Sequence, residues 1–276
     1  MSKYKLICLD LDGTLLKSDH KLCSRTVAKL REAESKGFRI AIVTGRAPFE
    51  SKYYASQVSK DTFFIGANGA YVGSPHQEQP LSETSFNESQ RKALYEILNH
   101  HKVKPALSVK DAIYVAGALK LWLYKKFSQR EDNDNRAKNL HYLDAKKALK
   151  DFLENENELH KCLFFVVGRR KREKLERELR EHPDFEIAVS ARFVIEVTPE
   201  GINKAYGISH LIAHLQILPE EVIAFGDSEN DLEMLKYVGM GIAMGNATDH
   251  LKAYANSVTK TNDEAGIALV LETILD

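Results

Sequence analysis

Residues 6–16 read LICLDLDGTLL. The apolar stretch Leu6 to Leu9 suits a buried strand, yet it runs straight into Asp10 and Asp12. A buried carboxylate is costly unless another group pairs with it. A partner for Asp10 is therefore expected from a distant part of the chain.

Outward from that run, Ser24 to Lys36 carries Val27, Leu30 and Ala33 at helical spacing, with Gly37 placed to end the helix. RIAIV at 39–43 reads as the next strand. Strand, helix, strand predicts a right-handed βαβ unit and a parallel sheet. The alternation returns near the C-terminus, where Ala205, Ile208, Leu211, Ile212 and Leu215 mark a helix, VIAFGD a strand, DLEMLKYV a helix and GIAMG a further short strand. The middle differs, with longer polar stretches such as SQREDNDNRAKN at 128–139 and isolated strands such as KCLFFVVG at 161–168. This shift predicts an α/β core, residues 1–84 and 190–276, split by an insertion at 85–189.

Composition narrows the function classes. A chain of 276 residues with 43% hydrophobic content can build a real core. Lys plus Arg equals Asp plus Glu at 39 each, so no overall field favours nucleic acid or an anionic membrane. Any charged ligand must be caught locally. Cys8, Cys23 and Cys162 are too few and too scattered for a disulfide framework or a zinc site, which points to a reducing, cytoplasmic setting. No apolar stretch approaches the roughly 20 residues of a membrane span.

Four stretches carry the chemistry: DLDGT (Asp10 to Thr14), TGR (Thr44 to Arg46), Lys204 in GINK, and GDSEND (Gly226 to Asp231). Asp10, Thr44 and Asp227 each follow an expected buried strand. The carboxyl ends of parallel strands line one crevice, so these side chains can converge. Two carboxylates about 4 Å apart repel by roughly 4 kcal/mol at an effective dielectric of about 20. A divalent cation removes that repulsion, and Asp10, Asp227 and a backbone carbonyl near Asp12 are the oxygen donors Mg²⁺ prefers. Thr44, Gly45 and Lys204 would then face a phosphate held at the open metal positions.

As a set, DLDGTLL, TGR, the lone Lys204 and GDSENDLEML resemble the haloacid dehalogenase superfamily, and most closely its Cof-type sugar-phosphatase branch. The resemblance spans both core pieces and implies a Rossmann-like parallel sheet with an inserted α/β cap that sets substrate specificity. It implies a Mg²⁺-dependent phosphatase acting on a small phosphorylated metabolite, with Asp10 as the nucleophile that becomes an aspartyl-phosphate and Asp12 as general acid and base. It further implies that Asp10, the Asp12 carbonyl and Asp227 hold Mg²⁺. Leu11, Thr44, Gly45, Lys204 and Asn230 would hold the phosphate, and Asp231 would support the metal or Lys204. A phosphomutase shares the same first half-reaction, and a phospho-acceptor signalling domain clusters similar groups; Asp12 and the long insertion speak against the latter.

Other features have plainer readings. Arg46 sits where it could bind phosphate or pair with a surface carboxylate. Thr44 and Gly45 could cap the following helix. Asn68 and Gly69 in ANGA suit a hairpin turn, with a place at the mouth of the site secondary. GRRKREKLERELREH at 168–182 has ion-pair spacings, Glu173 to Arg177 and Glu176 to Arg180, that predict a solvated helix. GMGIAMG lacks the spacing of a dinucleotide loop. His100 and His101 are adjacent, which predicts divergent side chains on a helix and no metal pair. Trp122, Tyr124 and Phe127 read as packing residues of the insertion.

Overall fold

Strand β1 (Leu6–Leu9) is buried on both faces because its side chains alternate between two cores. Ile7 and Leu9 pack with Leu30 and Ala33 of the helix Ser24–Ser35 and with Ile267 and Leu271 of the helix Gly266–Leu275. Leu6 and Cys8 pack on the other side with Ile208 and Leu211 of the helix Lys204–Leu215 and with Met234 and Leu235 of the helix Leu232–Tyr237. Each such fully buried aliphatic side chain contributes about 1.5–3 kcal/mol. Helices on both faces leave the strands no polar side, which is why they read as continuous apolar runs.

The computed structural model describes residues 3–117, 138–144, 148–155, 158–166, 168–191 and 194–275. Trp122, Tyr124 and Phe127 lie outside the described residues. After β1 come β2 (Arg39–Val43), β3 (Phe63–Gly66), β4 (Tyr71–Gly73) and β5 (Ser82–Glu83). The insertion contributes β6 (Ala106–Ser108), β7 (Ile113–Ala116), β8 (Leu140–Leu143), β9 (Lys161–Phe165), β10 (Phe185–Ala191) and β11 (Val194–Pro199). The chain then supplies β12 (Val222–Gly226), β13 (Met240–Ala243) and β14 (Ser257–Val258).

The first sheet has the order β14-β13-β12-β1-β2-β3-β4-β5. It is parallel from β14 through β3, and β4 returns antiparallel to β3 through the turn at Ala67–Gly69. GMGIAMG therefore includes an ordinary parallel strand, β13. The second sheet has the order β10-β11-β9-β6-β7-β8 and is antiparallel apart from the β7–β8 pair. Cys162, Phe164, Ile195 and Val197 from one of its faces share a core with Leu94, Ile97 and Leu98 of the helix Glu88–His100 and with Leu175 and Leu179 of the helix Arg169–Glu181. Across its surface that second helix carries Arg169–Glu173 at 2.7 Å and Glu176–Arg180 at 3.0 Å, so Glu173 pairs with the arginine a turn before it as well as lying at ion-pair spacing from Arg177.

The contacts divide the chain into residues 1–46, 51–82 and 203–276 in one unit and 47–50 with 83–202 in the other. The second unit thus extends past residue 189, because β11 is hydrogen-bonded between β10 and β9. Val194, Ile195 and Val197 of β11 would suit either sheet, and its buried Glu196 pairs with Lys161 of β9 at 3.1 Å. Ala47 and Phe49 join the second unit by packing with Ala106, Ile113, Val115 and Leu140. No disulfide joins the cysteines among the described residues, and Cys8 and Cys162 are buried. Among the described residues no helix is long and apolar enough to cross a membrane.

Candidate active site

The direction of strand succession reverses between β1 and β12: β2 and β3 extend the sheet one way, β13 and β14 the other. Such a switch point opens a crevice at the strands' carboxyl ends. Leu9 is in register with Phe225 and with Ile42, so the residues that leave β1, β12 and β2 emerge side by side. The Asp10 N–H donates to the Phe225 carbonyl at 3.0 Å, and the Thr44 N–H to the Ile65 carbonyl at 2.9 Å. Asp10, Thr44 and Asp227 are therefore delivered to one place by register alone.

Lys204 supplies the partner that Asp10 required. It is the first residue of its helix, where a cation opposes the helix dipole, and it is buried to 1% exposure. Its Nζ donates to Asp10 Oδ1 at 2.5 Å and to Asp231 Oδ1 at 2.6 Å. Asp231 Oδ2 accepts the backbone N–H groups of Asp227 at 2.9 Å and Ser228 at 3.0 Å. Both oxygens of Asp231 are thus committed to holding Lys204 and the loop after β12. The helix comes close because Gly207 lies against Gly69: a Cβ at Gly207 would stand 2.8 Å from the Gly69 Cα.

Asp227 is placed by two small residues of the first motif. Thr14 Oγ1 donates to Asp227 Oδ1 at 2.8 Å. Gly13 has φ +79°, and a Cβ there would stand 2.3 Å from Asp227 Oδ2. Glycine meets both demands, a left-handed backbone and room for the carboxylate. Asn246 secures the turn by donating to the Gly13 carbonyl at 2.8 Å.

The three acids Asp10, Asp227 and Asp231 offer oxygens within 4.8 Å of one another. Burial, then the charge of Asp231, pushes the Asp10 carboxyl well up, while Lys204 pulls it down. Asp227 is pushed up to about 6 by burial and by Asp231, against the pull of its bond from Thr14 and of Lys204. Burial works against the charge on Lys204, but Asp10 and Asp231 outweigh it and hold the ammonium. One ammonium among three acids leaves excess negative charge. With Asp231 committed, Asp10 and Asp227 form an all-oxygen pair that fits a hard divalent cation.

The remaining expected residues fall around this pair. Thr44 is buried, and its hydroxyl accepts the Arg46 N–H at 3.2 Å; the helix begins only at Pro48, and Glu50, through its bond from the Ala47 N–H, replaces Thr44 at that helix start. Asn230 accepts from Ser228 Oγ at 2.7 Å and donates to Asn68 Oδ1 at 3.4 Å. Leu11 is buried in the first core, and its carbonyl accepts the Leu16 N–H at 2.8 Å.

Two residues matter more than their motifs announce. Arg46 pairs with Asp12, an exposed carboxylate of the first motif, with Nε to Oδ2 at 2.8 Å and Nη2 to Oδ1 at 2.5 Å. Asn68 donates its N–H to the Thr44 carbonyl at 3.1 Å and meets Asn230, joining the β2 and β12 loops. Its Asn-Gly signal was visible, with φ +56° at Asn68 suiting the turn, but nothing in it named these partners.

A family model described as haloacid dehalogenase-like hydrolase matches residues 7–271. The chain is 31% identical to the 5-amino-6-(5-phospho-D-ribitylamino)uracil phosphatase YitU of Bacillus subtilis, over 98% of this chain and 97% of that one. A solved haloacid dehalogenase-like hydrolase from B. subtilis superposes with TM-score 0.86 at 26% identity, covering 97% of this chain and 99% of that one. The subclass IIB sugar phosphatase BT4131 superposes with TM-score 0.81 at 27% identity, covering 98% of each chain.

Proposed function

The chain belongs to the haloacid dehalogenase-like hydrolases and is a phosphatase of that family; from that premise we propose that it hydrolyses a small phosphorylated metabolite, a sugar or sugar-alcohol phosphate, with Mg²⁺ and through a phosphorylated Asp10. The observation that carries this reading is the buried array of Asp10, Lys204 and Asp231 beside Asp227, a nucleophile held next to a fixed cation and an all-oxygen donor pair.

Asp10 attacks phosphorus through a carboxylate oxygen, the bond from phosphorus to the leaving oxygen breaks, and Asp12 gives that oxygen its proton. A water then gives a proton to Asp12 and attacks phosphorus, and the bond to Asp10 breaks. Arg46 pairs with Asp12 as a carboxylate, the form that receives the water's proton. Mg²⁺ held by Asp10, the Asp12 carbonyl and Asp227 would neutralise the charge of the phosphate and of the two acids. Thr44, the N–H groups at Leu11 and Gly45, Lys204 and Asn230 would bind the phosphate oxygens, and Asp231 would keep Lys204 in place. Uncatalysed phosphate-monoester hydrolysis is slow enough to call for accelerations of up to roughly 10²¹-fold, and two displacements let one set of charges serve both halves. The inserted unit would act as the cap that selects the leaving group.

The test is phosphate release over a panel of sugar and sugar-alcohol phosphates, including 5-amino-6-(5-phospho-D-ribitylamino)uracil, with and without Mg²⁺ and in Asp10→Asn. Release confined to the wild-type protein with Mg²⁺ is expected. Release that persists in Asp10→Asn, or in chelator, overturns the mechanism.

A further inference from the structure

In the second unit, the helices Glu88–His100 and Arg169–Glu181 bring His100, His101 and Glu178 together at their C-terminal ends. His101 Nε2 lies 2.7 Å from Glu178 Oε2. The ring of His101 stands edge-on to that of His100, with centroids 5.0 Å apart. One donor atom from each of the three residues lies within 4.8 Å of the other two. The divergence expected of neighbouring helical residues is not found: the rings meet although His101, the C-cap, keeps a helical backbone (φ −81°, ψ −3°) and donates its N–H to the Ile97 carbonyl.

Electrostatics favour a cation at this corner. The C-terminal end of a helix carries roughly half a negative charge. Two such ends meet here, and Glu178, in the last turn of its helix, adds a full one, while the Arg180 of the same turn is engaged by Glu176 and the Ile187 carbonyl. We propose that His100, His101 and Glu178 form a Zn²⁺ site, with two imidazole nitrogens, one carboxylate oxygen and a water as the fourth ligand.

Two imidazoles and a carboxylate suit Zn²⁺, whereas Mg²⁺ demands oxygen donors. The site is therefore chemically distinct from the Asp10–Asp227 pair. Zn–N bonds of about 2.0–2.1 Å place tetrahedral ligand atoms about 3.4 Å apart, so the His101–Glu178 pair, now at 2.7 Å, would open by about 0.7 Å while His100, within 4.8 Å of both, closes by at most about 1.4 Å. His101, 8% exposed and bonded to Glu178, is already fixed, and the exposed His100 can rotate to complete the set. The bound ion would take over from the hydrogen bond between His101 and Glu178 and tie the two helix ends together.

The test is calorimetric titration of the chelator-stripped full chain with ZnCl₂, in a large excess of Mg²⁺ to occupy the all-oxygen site. Uptake of one Zn²⁺ is expected, with a raised melting temperature. His100→Ala and Glu178→Gln should each weaken uptake at least about tenfold, the lower end of what even an outer partner of a metal site costs. Both should leave Mg²⁺-dependent phosphate release unchanged. His100 is exposed, so its variant keeps the fold and the comparison does not depend on the buried His101. Absence of Zn²⁺ uptake under Mg²⁺, or uptake equal in the wild type and both variants, overturns the proposal.

Discussion

Arg46 clamps Asp12 from two directions at once, with Nε and Nη2 on the two carboxylate oxygens at 2.8 and 2.5 Å, while the Tyr54 ring lies 5.1 Å from the guanidinium carbon. The Arg46 side chain is 9% exposed and that of Asp12 is 48% exposed, so a nearly buried fork aims a carboxylate that still reaches solvent. A fork fixes both the position and the plane of its partner, which a single ammonium cannot do. Arg46→Lys should accordingly lower kcat by about tenfold or more, short of the 10²–10⁴ expected on losing an acid–base group outright. The pH dependence of kcat should shift as well, and steady-state kinetics across pH on Arg46→Lys and Asp12→Asn separate the two effects. An unchanged profile in Arg46→Lys would remove Arg46 from any role in placing Asp12.

Lys204 is the centre of the buried charge array, and its removal strands two acids. Breaking a buried ion pair from one side costs about 3–5 kcal/mol. Lys204→Met should lose stability on that scale in urea unfolding, along with all turnover. A variant as stable as the wild type would mean that Asp10 and Asp231 do not depend on the ammonium.

Gly13 tests the architecture of the first motif. Alanine there meets both the positive φ, costing about 1–2 kcal/mol, and the Asp227 carboxylate at 2.3 Å. Gly13→Ala should weaken Mg²⁺ activation more than it lowers the melting temperature. The concentration of Mg²⁺ giving half-maximal rate is the measurement.

Asp227 predicts how stability depends on pH without a divalent cation. Its folded value, about 6, lies above the ordinary 3.8. A raised carboxyl stabilises the fold below its unfolded value, and that contribution is lost as pH rises through the folded one. Asp10 moves in the same direction. Asp19, Glu32, Glu173 and Asp263 are held below their usual range and are already ionised in this window. In chelator the protein should therefore melt lower at about pH 7.5 than at about pH 5. Added Mg²⁺ should raise the melt more at the higher pH, where Asp227 is ionised. Thermal melts under the four conditions decide it.

The periodicity of Leu6–Leu9, Arg39–Val43 and Val222–Gly226 made the parallel core readable, because strands covered on both faces must be apolar throughout. Asp10, Thr44 and Asp227 stood out for the same reason: each is the first polar residue after such a run. The end of the inserted unit did not, since Val194, Ile195 and Val197 would suit either sheet and only the pairing of β11 with β10 and β9 assigns them. Nor did the meeting of His100 with His101, which depends on how the two rings turn at the end of the helix.

By itself, the order of residues determined that a parallel sheet forms and that acids crown its strand ends, since burial acts on each side chain where it stands. Which acid faces which base was decided only by the tertiary structure. Lys204 between Asp10 and Asp231, and Arg46 on Asp12, join residues 194, 27 and 34 positions apart. Such partners are chosen by strand register and helix packing to within an ångström, and charge–charge energies change steeply over that distance.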